Sequence, residues 1–282
     1  MGVYTSDRER VTPFLNPFRI TRHLWRYRQL IGRLTRREVE ARYKGSFIGI
    51  GWSLIHPLLM LCVYTFVFSV VFQIRWGGQA DESIVDFALA LFTGLISFSV
   101  FSEMTNAAPT LILENVNYVK KVVFPLEILI VVRIFSVLIN ALFALIVLLC
   151  GIVLVNQSLH WTALLLPLVW LPMILMTLGF GYFLASLGVF VRDLNAATSI
   201  LCTMLFFLTP IFYPLHAVPE RFRFFSTLNP LAHFVENSRG VMLWGILPDW
   251  STFLIVLCVS ILVWVFGFIW FVKSKNAFAD VI

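Results

Sequence analysis

The side chains best suited to hold a metal or attack a substrate share no site in this 282-residue chain. Its histidines (His23, His56, His160, His216 and His233) fall in separate stretches, and none forms an HExxH pair that would set two imidazoles on one helical face. Its cysteines (Cys62, Cys150, Cys202 and Cys258) make no CxxC, and each sits in an apolar run, where a free thiol packs as a small hydrophobe. No GxxxxGKS/T loop is present to cradle nucleotide phosphates, and no GxSxG elbow to present a serine. The chain is therefore expected to have no catalytic residue, metal or cofactor of its own. Any energy it uses must come from elsewhere.

What remains is charge. In residues 35–64 (TRREVEARYKGSFIGIGWSLIHPLLMLCVY) a dense basic segment gives way to an almost charge-free run. Arg36, Arg37, Arg42 and Lys44 favour the cytoplasmic surface of a bilayer under the positive-inside bias, and the run from Phe47 onward can fill hydrocarbon. Gly45, Gly49 and Gly51 mark a bend between a surface helix and a spanning one, where the backbone needs freedom. Glu38 and Glu40 among the arginines suit a surface that also meets a partner, since a pure lipid anchor has little use for acids. Further on, Glu103, Glu127 and Arg133 lie near the inner face. A lone charge at the bilayer centre costs roughly 2.5–3.5 kcal/mol, so Arg133 is expected to snorkel to the surface or to pair with Glu103 or Glu127.

The elements that must position these groups follow from composition. The chain is 60% hydrophobic and only 13% charged, with a mean hydropathy of +0.89. A soluble domain carries about 25% charge, so this is an integral membrane protein. The net charge of +6 would also suit nucleic acid. However, about half of the basic residues cluster in residues 8–44, ahead of the first span, where topology and anionic lipid explain them, and no nucleic-acid partner is expected. That span also begins too late, behind too many charges, for a secretory signal.

Ile20, Leu24, Tyr27, Ile31 and Leu34 recur at helical spacing, with Arg22, Arg26, Arg33 and Arg37 on or near the other face. This predicts an amphipathic interface helix within an N-terminal cytoplasmic segment, 1–46. Residues 47–282 are predicted to form an all-α transmembrane domain of six spans, at about 48–74, 87–107, 126–155, 163–190, 196–212 and 252–272. Asp81, Glu82 and Asp86 mark an external loop. Residues 109–129 are too polar to span and predict one short amphipathic helix ending at Phe124-Pro125. The region 213–249 is broken by Pro214, Pro219, Pro230 and Pro248. It predicts two half-helices, 219–228 and 231–243, either re-entrant in the outer leaflet or lying flat outside. Lys273 and Lys275 return the chain to the inside, so both termini are expected to be cytoplasmic.

Four stretches, RYKGSFIGIGWSLIHPLL, NVNYVKKVVFP, VRDL and TPIFYPLHAVPERFRFFSTLNPL, occur in this order. Together they resemble the membrane subunit of a type-2 ABC exporter, in the branch that moves O-antigen, capsule or teichoic-acid polymers. The resemblance runs from about Leu24 to the last span. It implies a permease of the bacterial cytoplasmic (inner) membrane that pairs with a second copy of itself and with two copies of a separate cytoplasmic ATPase, which binds ATP and Mg. The implied substrate is a glycan on a polyprenyl diphosphate lipid. By the same resemblance Arg36, Arg37, Glu38, Glu114, Asn115, Tyr118, Lys120 and Lys121 would rest on the ATPase, and Arg192 and Asp193 would form a smaller second contact. The half-helices, with Pro219, Phe222, Phe225, Asn229 and Pro230, would cap the outer mouth of the conduit.

A hydrophilic polymer crossing hydrocarbon needs a wall that tolerates sugars, and aromatic rings pack the apolar face of a pyranose while its hydroxyls keep water. Trp52, Phe68, Phe98, Phe101, Phe207 and Tyr213 are candidate lining residues, although aromatics in spans commonly face lipid or pack helices. Arg42 and Lys44, at the membrane boundary, are candidates for charge-assisted contact with the lipid diphosphate. Three other functions fit the composition. A permease for a drug or simple lipid would show a pocket matched to a small apolar molecule. A membrane-bound lipid-processing enzyme would need clustered carboxylates or histidines at one leaflet. A scaffold would transport nothing.

Overall fold

The computed structural model describes residues 16–44, 49–73, 76, 83–120 and 124–282. Lys121, Gly45, Phe47, Asp81 and Glu82 lie outside these residues. Among the described residues the secondary structure is helical and no strand occurs. The surface segment forms α1 (Pro17–Arg26) and α2 (Arg28–Tyr43), separated by a kink at Tyr27. The apolar stripe read from the sequence faces protein: Ile20 is fully buried, Ile31 nearly so, and Leu24, Tyr27 and Leu34 pack beside them on the bundle. The helix thus lays its apolar face on its own spans, while Phe18 and Trp25 remain open.

At Gly49 the backbone turns with φ +58°, a left-handed conformation that glycine adopts without steric cost. A 3-10 turn then leads into α3 (Trp52–Thr65), continued as a π-helical turn to Val71. Helices α4 (Ile84–Leu111), α6 (Ile128–Asn156), α7 (Leu166–Phe190) and α11 (Trp250–Ser274) complete the long elements. Five stretches are long and apolar enough to cross a membrane: Trp52–Val71, Ile84–Leu111, Ile128–Asn156, Trp161–Phe190 and Trp250–Val281. Helix α8 (Leu194–Leu208) is apolar but shorter. Its 15 residues reach about 22 Å at 1.5 Å each, short of a hydrocarbon core of about 30 Å. It stops because Pro210 pushes the preceding Thr209 into extended backbone.

The amphipathic helix expected in residues 109–124 is shorter than predicted. Helix α4 runs through Pro109 to Leu111, and among the described residues up to 120 a 3-10 turn and the single turn α5 (Val116–Val119) follow. Beyond α8, the proline-broken region folds as α9 (Glu220–Leu228) and α10 (Pro230–Arg239), extended by a π turn to Trp244. The chain ends in α12 (Phe278–Val281).

Helix α4 is the hub. Of its most apolar window, 67% is buried, against 6% for α3. Helices α7 and α11 cross close enough that a Cβ added at Gly267 would stand 2.1 Å from the Gly179 carbonyl oxygen. Similarly, a Cβ at Gly188 would stand 2.1 Å from the carbonyl of Pro109, which seats the end of α7 on the end of α4. Small residues at such crossings let backbones approach where lipid gives no hydrophobic drive to associate.

Candidate functional site

The N-terminal helices are tied to the spans by charge. Glu38 of α2 accepts a hydrogen bond from Arg133 Nη1 of α6 at 2.8 Å, and Arg42 pairs with Glu103 of α4 at 2.5 Å. His23 Nε2 of α1 meets Glu127, at the N-cap position of α6, at 2.7 Å. Lys275 Nζ approaches the other Glu127 oxygen at 3.5 Å, and the buried Tyr182 donates to the Glu127 carbonyl at 3.1 Å. Arg133 therefore pairs, but with neither of the acids expected from the sequence. Glu103 and Glu127 are taken by Arg42 and by His23 with Lys275. Glu103, Glu127 and Arg133 are thus each matched by a charge from the surface helices or the C-terminal segment.

This end of the bundle is a platform. A cavity of about 460 Å³ opens between α2, the 113–120 turn and the start of α6. Arg37, Glu38, Glu114, Asn115, Tyr118 and Arg133 supply its polar wall. Arg37 donates to the Tyr118 hydroxyl at 3.3 Å, and Tyr118 stacks on Phe124 at 4.3 Å. Asn115 donates to the Leu111 carbonyl, and Thr110 donates to Glu114. Arg36 sits on the opposite side of α2, paired with Glu40 at 2.7 Å. Lys120 is exposed beside the cavity, and Lys44 is exposed at the end of α2. Arg192 and Asp193, in the exposed turn after α7, open at the same end. Asp193 stands at the N-cap of α8 but makes no side-chain capping bond.

A second cavity, about 390 Å³, runs between α3, α4 and α8. Ser99, Ser102, Glu103 and Asn106 line it at helical spacing on α4, facing Ser199 and Thr203 of α8 and His56 of α3. The Arg42–Glu103 pair stands at its platform end. Away from that end, Tyr64, Phe98 and Phe206 line the wall, and Phe206 packs on Phe212, itself stacked on Phe68 at 4.4 Å. Of the six aromatic candidates, only Phe98 lines this groove. Phe68 stands behind it in the aromatic cluster, Phe101 is turned toward Phe180 of α7, and Trp52 and Phe207 are exposed on α3 and α8. Tyr213 donates to the Phe207 carbonyl at 3.0 Å. The serine and asparagine stripe was overlooked in the sequence, although its i, i+3, i+4, i+7 spacing is written there.

The far end is built around Arg239, which sequence reasoning also passed over. Its side chain is fully buried. Nε donates to the Ala90 carbonyl at 2.8 Å, Nη1 to the Pro210 carbonyl at 2.6 Å and Glu236 at 2.8 Å, and Nη2 to the Ile211 carbonyl at 2.7 Å. Its guanidinium lies 4.1 Å from the ring centre of Trp76. Asn229 caps α10 through Leu231 N–H and donates to Thr209 Oγ1, at the same break. Pro230 opens α10, Pro219 precedes α9, and Phe222 and Phe225 of α9 are exposed. The signal in the sequence was an arginine beside the apolar run Val241–Leu243 in a proline-broken region. A carbonyl-rich break needs such a donor.

A family model described as ABC-2 type transporter matches residues 29–243. The O-antigen export system permease protein RfbA of Myxococcus xanthus is 30% identical over 93% of this chain and 98% of its own length. A protein of the same name from Klebsiella pneumoniae is 28% identical over 88% of this chain and 93% of its own. The polysialic acid transport protein KpsM of Escherichia coli is 27% identical over 76% and 81% respectively.

Proposed function

The chain belongs to the ABC-2 type transporter family, and from that premise we propose that it is the permease of an exporter that moves a lipid-linked, O-antigen-like polysaccharide out of the cytoplasm. It is a transport subunit and not an enzyme, with ATP hydrolysed by a separate subunit. The observation that carries this reading is the near end-to-end similarity to a permease named for O-antigen export. The α3–α4–α8 groove supports it. Hydroxyl and amide groups along one wall and rings along another suit a sugar's hydroxyls and its apolar C–H face.

In this reading the platform faces the cytoplasm of a bacterial inner membrane, with both chain ends on that side, and receives the ATPase through Arg37, Glu38, Glu114, Asn115, Tyr118 and Lys120. Two copies of the permease pair around α3, its π turn and α8, which expose the apolar Leu59, Val63, Phe66, Ile200, Met204 and Phe207. Helix α8 serves as the fifth of six spans. Irregular backbone is tolerated at membrane depth only when its carbonyls are satisfied, and Arg239 satisfies those of Pro210 and Ile211. Helices α9 and α10 are re-entrant and cap the conduit.

Removing the protein from its host should abolish surface glycan while lipid-linked polymer accumulates inside, and unchanged surface glycan would overturn the substrate. Purification should bring down a stoichiometric ATPase. Charge reversal at Lys120 should lower transport-coupled ATP hydrolysis without loss of folded permease.

A further inference from the structure

A third cleft lies on the other side of α2, away from both cavities described above. It measures about 820 Å³ and runs beneath α2 between α6, α7 and α11. Its walls are hydrocarbon, including Ile134, Leu138, Ile174 and Leu178. Two of its lining residues, Thr35 of α2 and Trp264 of α11, are 7% and 4% exposed, yet Thr35 Oγ1 and Trp264 Nε1 have no hydrogen-bond partner among the described residues. An N–H or O–H donor left unpaired in hydrocarbon is costly, and native proteins rarely keep one without a ligand or water to satisfy it.

Gly32 adds an independent observation. It lies mid-helix in α2 on the cleft, with ordinary helical backbone, and a Cβ added there would meet no atom within 4 Å. Neither conformation nor crowding requires glycine at this position, and glycine weakens a helix. Its effect is to leave the cleft open. The rim carries one uncompensated cation: Arg28 borders the cleft with no acid paired to it among the described residues, while Arg36 and Glu40, which also line it, are paired with each other.

We propose that this cleft binds one anionic glycerophospholipid. Its acyl chain lies along α6 and α7 under Gly32. Its ester carbonyls accept from Thr35 Oγ1 and Trp264 Nε1, and its phosphate lies at the Arg28 rim. Ester carbonyls are the acceptors that an ordinary phospholipid carries below its headgroup, and the uncompensated Arg28 selects a negative head over a zwitterionic one. The site depends on the chain lying in a membrane, not on what it exports.

The test uses the full-length protein in nanodiscs of phosphatidylcholine with a minor fraction of phosphatidylglycerol. The protein is re-extracted in mild detergent, and the retained lipid is counted by native mass spectrometry. Wild type should keep one phosphatidylglycerol in preference to phosphatidylcholine. The double variant Thr35→Val with Trp264→Phe removes both donors, the first at constant shape and the second with a smaller ring, and should lower retention about tenfold. Gly32→Leu should fill the cleft and empty it of lipid while melting no lower than wild type. Arg28→Glu should reduce the preference for phosphatidylglycerol. Equal retention of the two lipids, unchanged retention in the double variant, lipid still held by Gly32→Leu, or a polypeptide in place of lipid would each overturn the proposal.

Discussion

At the platform end, charge is held by side chains meeting side chains. Glu38–Arg133 and Arg42–Glu103 each remain about a quarter exposed, and each joins a surface helix to a span. At the far end one guanidinium, fully buried, is held by three backbone carbonyls, a single carboxylate and an indole face. The difference is physical. A partly hydrated ion pair can lose its partner to water or to another protein at modest cost, whereas a buried charge stripped of its partners has nowhere to go. The Glu38–Arg133 and Arg42–Glu103 pairs can therefore exchange contacts, whereas Arg239 holds a fixed shape.

The sharpest way to break the comparison is at Arg239. Arg239→Met leaves three carbonyls and Glu236 without their donor and should cost about 3–5 kcal/mol, read as loss of monodisperse protein and a lower melting temperature. Arg239→Lys should not restore it, because a point ammonium cannot span the same fork of acceptors. If Arg239→Met melts like wild type, the far end is no lock.

Gly94→Val is the next largest. A Cβ at Gly94 would stand 2.6 Å from Arg239 Nη2, so a branched side chain must displace the guanidinium, at about 1–3 kcal/mol. Gly94→Val combined with Arg239→Met should be milder than the sum of the two, since the crowded group is gone. At the platform, Glu38→Gln should cost less. The exchange Glu38→Arg with Arg133→Glu should recover part of the loss, with a coupling of about 0.5–3 kcal/mol in a double-mutant cycle. No recovery would mean that the pair is incidental.

The smallest effect lies at Asp249, an exposed carboxylate at the far end that caps α11. Hydrogen bonds from Thr252 and Ser251 lower its pKa from the usual 3.8 to about 2. A depressed folded pKa means that the capping contribution is complete above the unfolded value and is lost as pH falls toward 2. The melting temperature of wild type minus that of Asp249→Asn should therefore be flat from pH 8 to about 4 and shrink below it.

Much of this architecture is legible in the sequence. The apolar stripe of Ile20, Leu24, Tyr27, Ile31 and Leu34 places one face of α1 and α2, because helical periodicity is a local property. Pro219 and Pro230 set the starts of α9 and α10, since proline suits the first positions of a helix. Gly49 marks the turn into α3. In contrast, the charged partners were not legible. Arg133 had three acids within reach in principle, and the one it meets lies 95 positions away. The choice depends on where α2 lands on α6.

The sequence by itself determined that this chain crosses a membrane, where it breaks, that it carries no nucleotide-binding motif, and which family it resembles. All of these rest on hydropathy, proline, glycine and ordered short motifs, which act over a few residues. The tertiary structure alone decided which charge answers which, which aromatic lines a groove and which merely packs, and that an arginine late in the chain closes the far end. Those outcomes depend on the rotation of each helix about its axis. In a chain so uniformly apolar, rotation is set by packing against neighbours that no local pattern names.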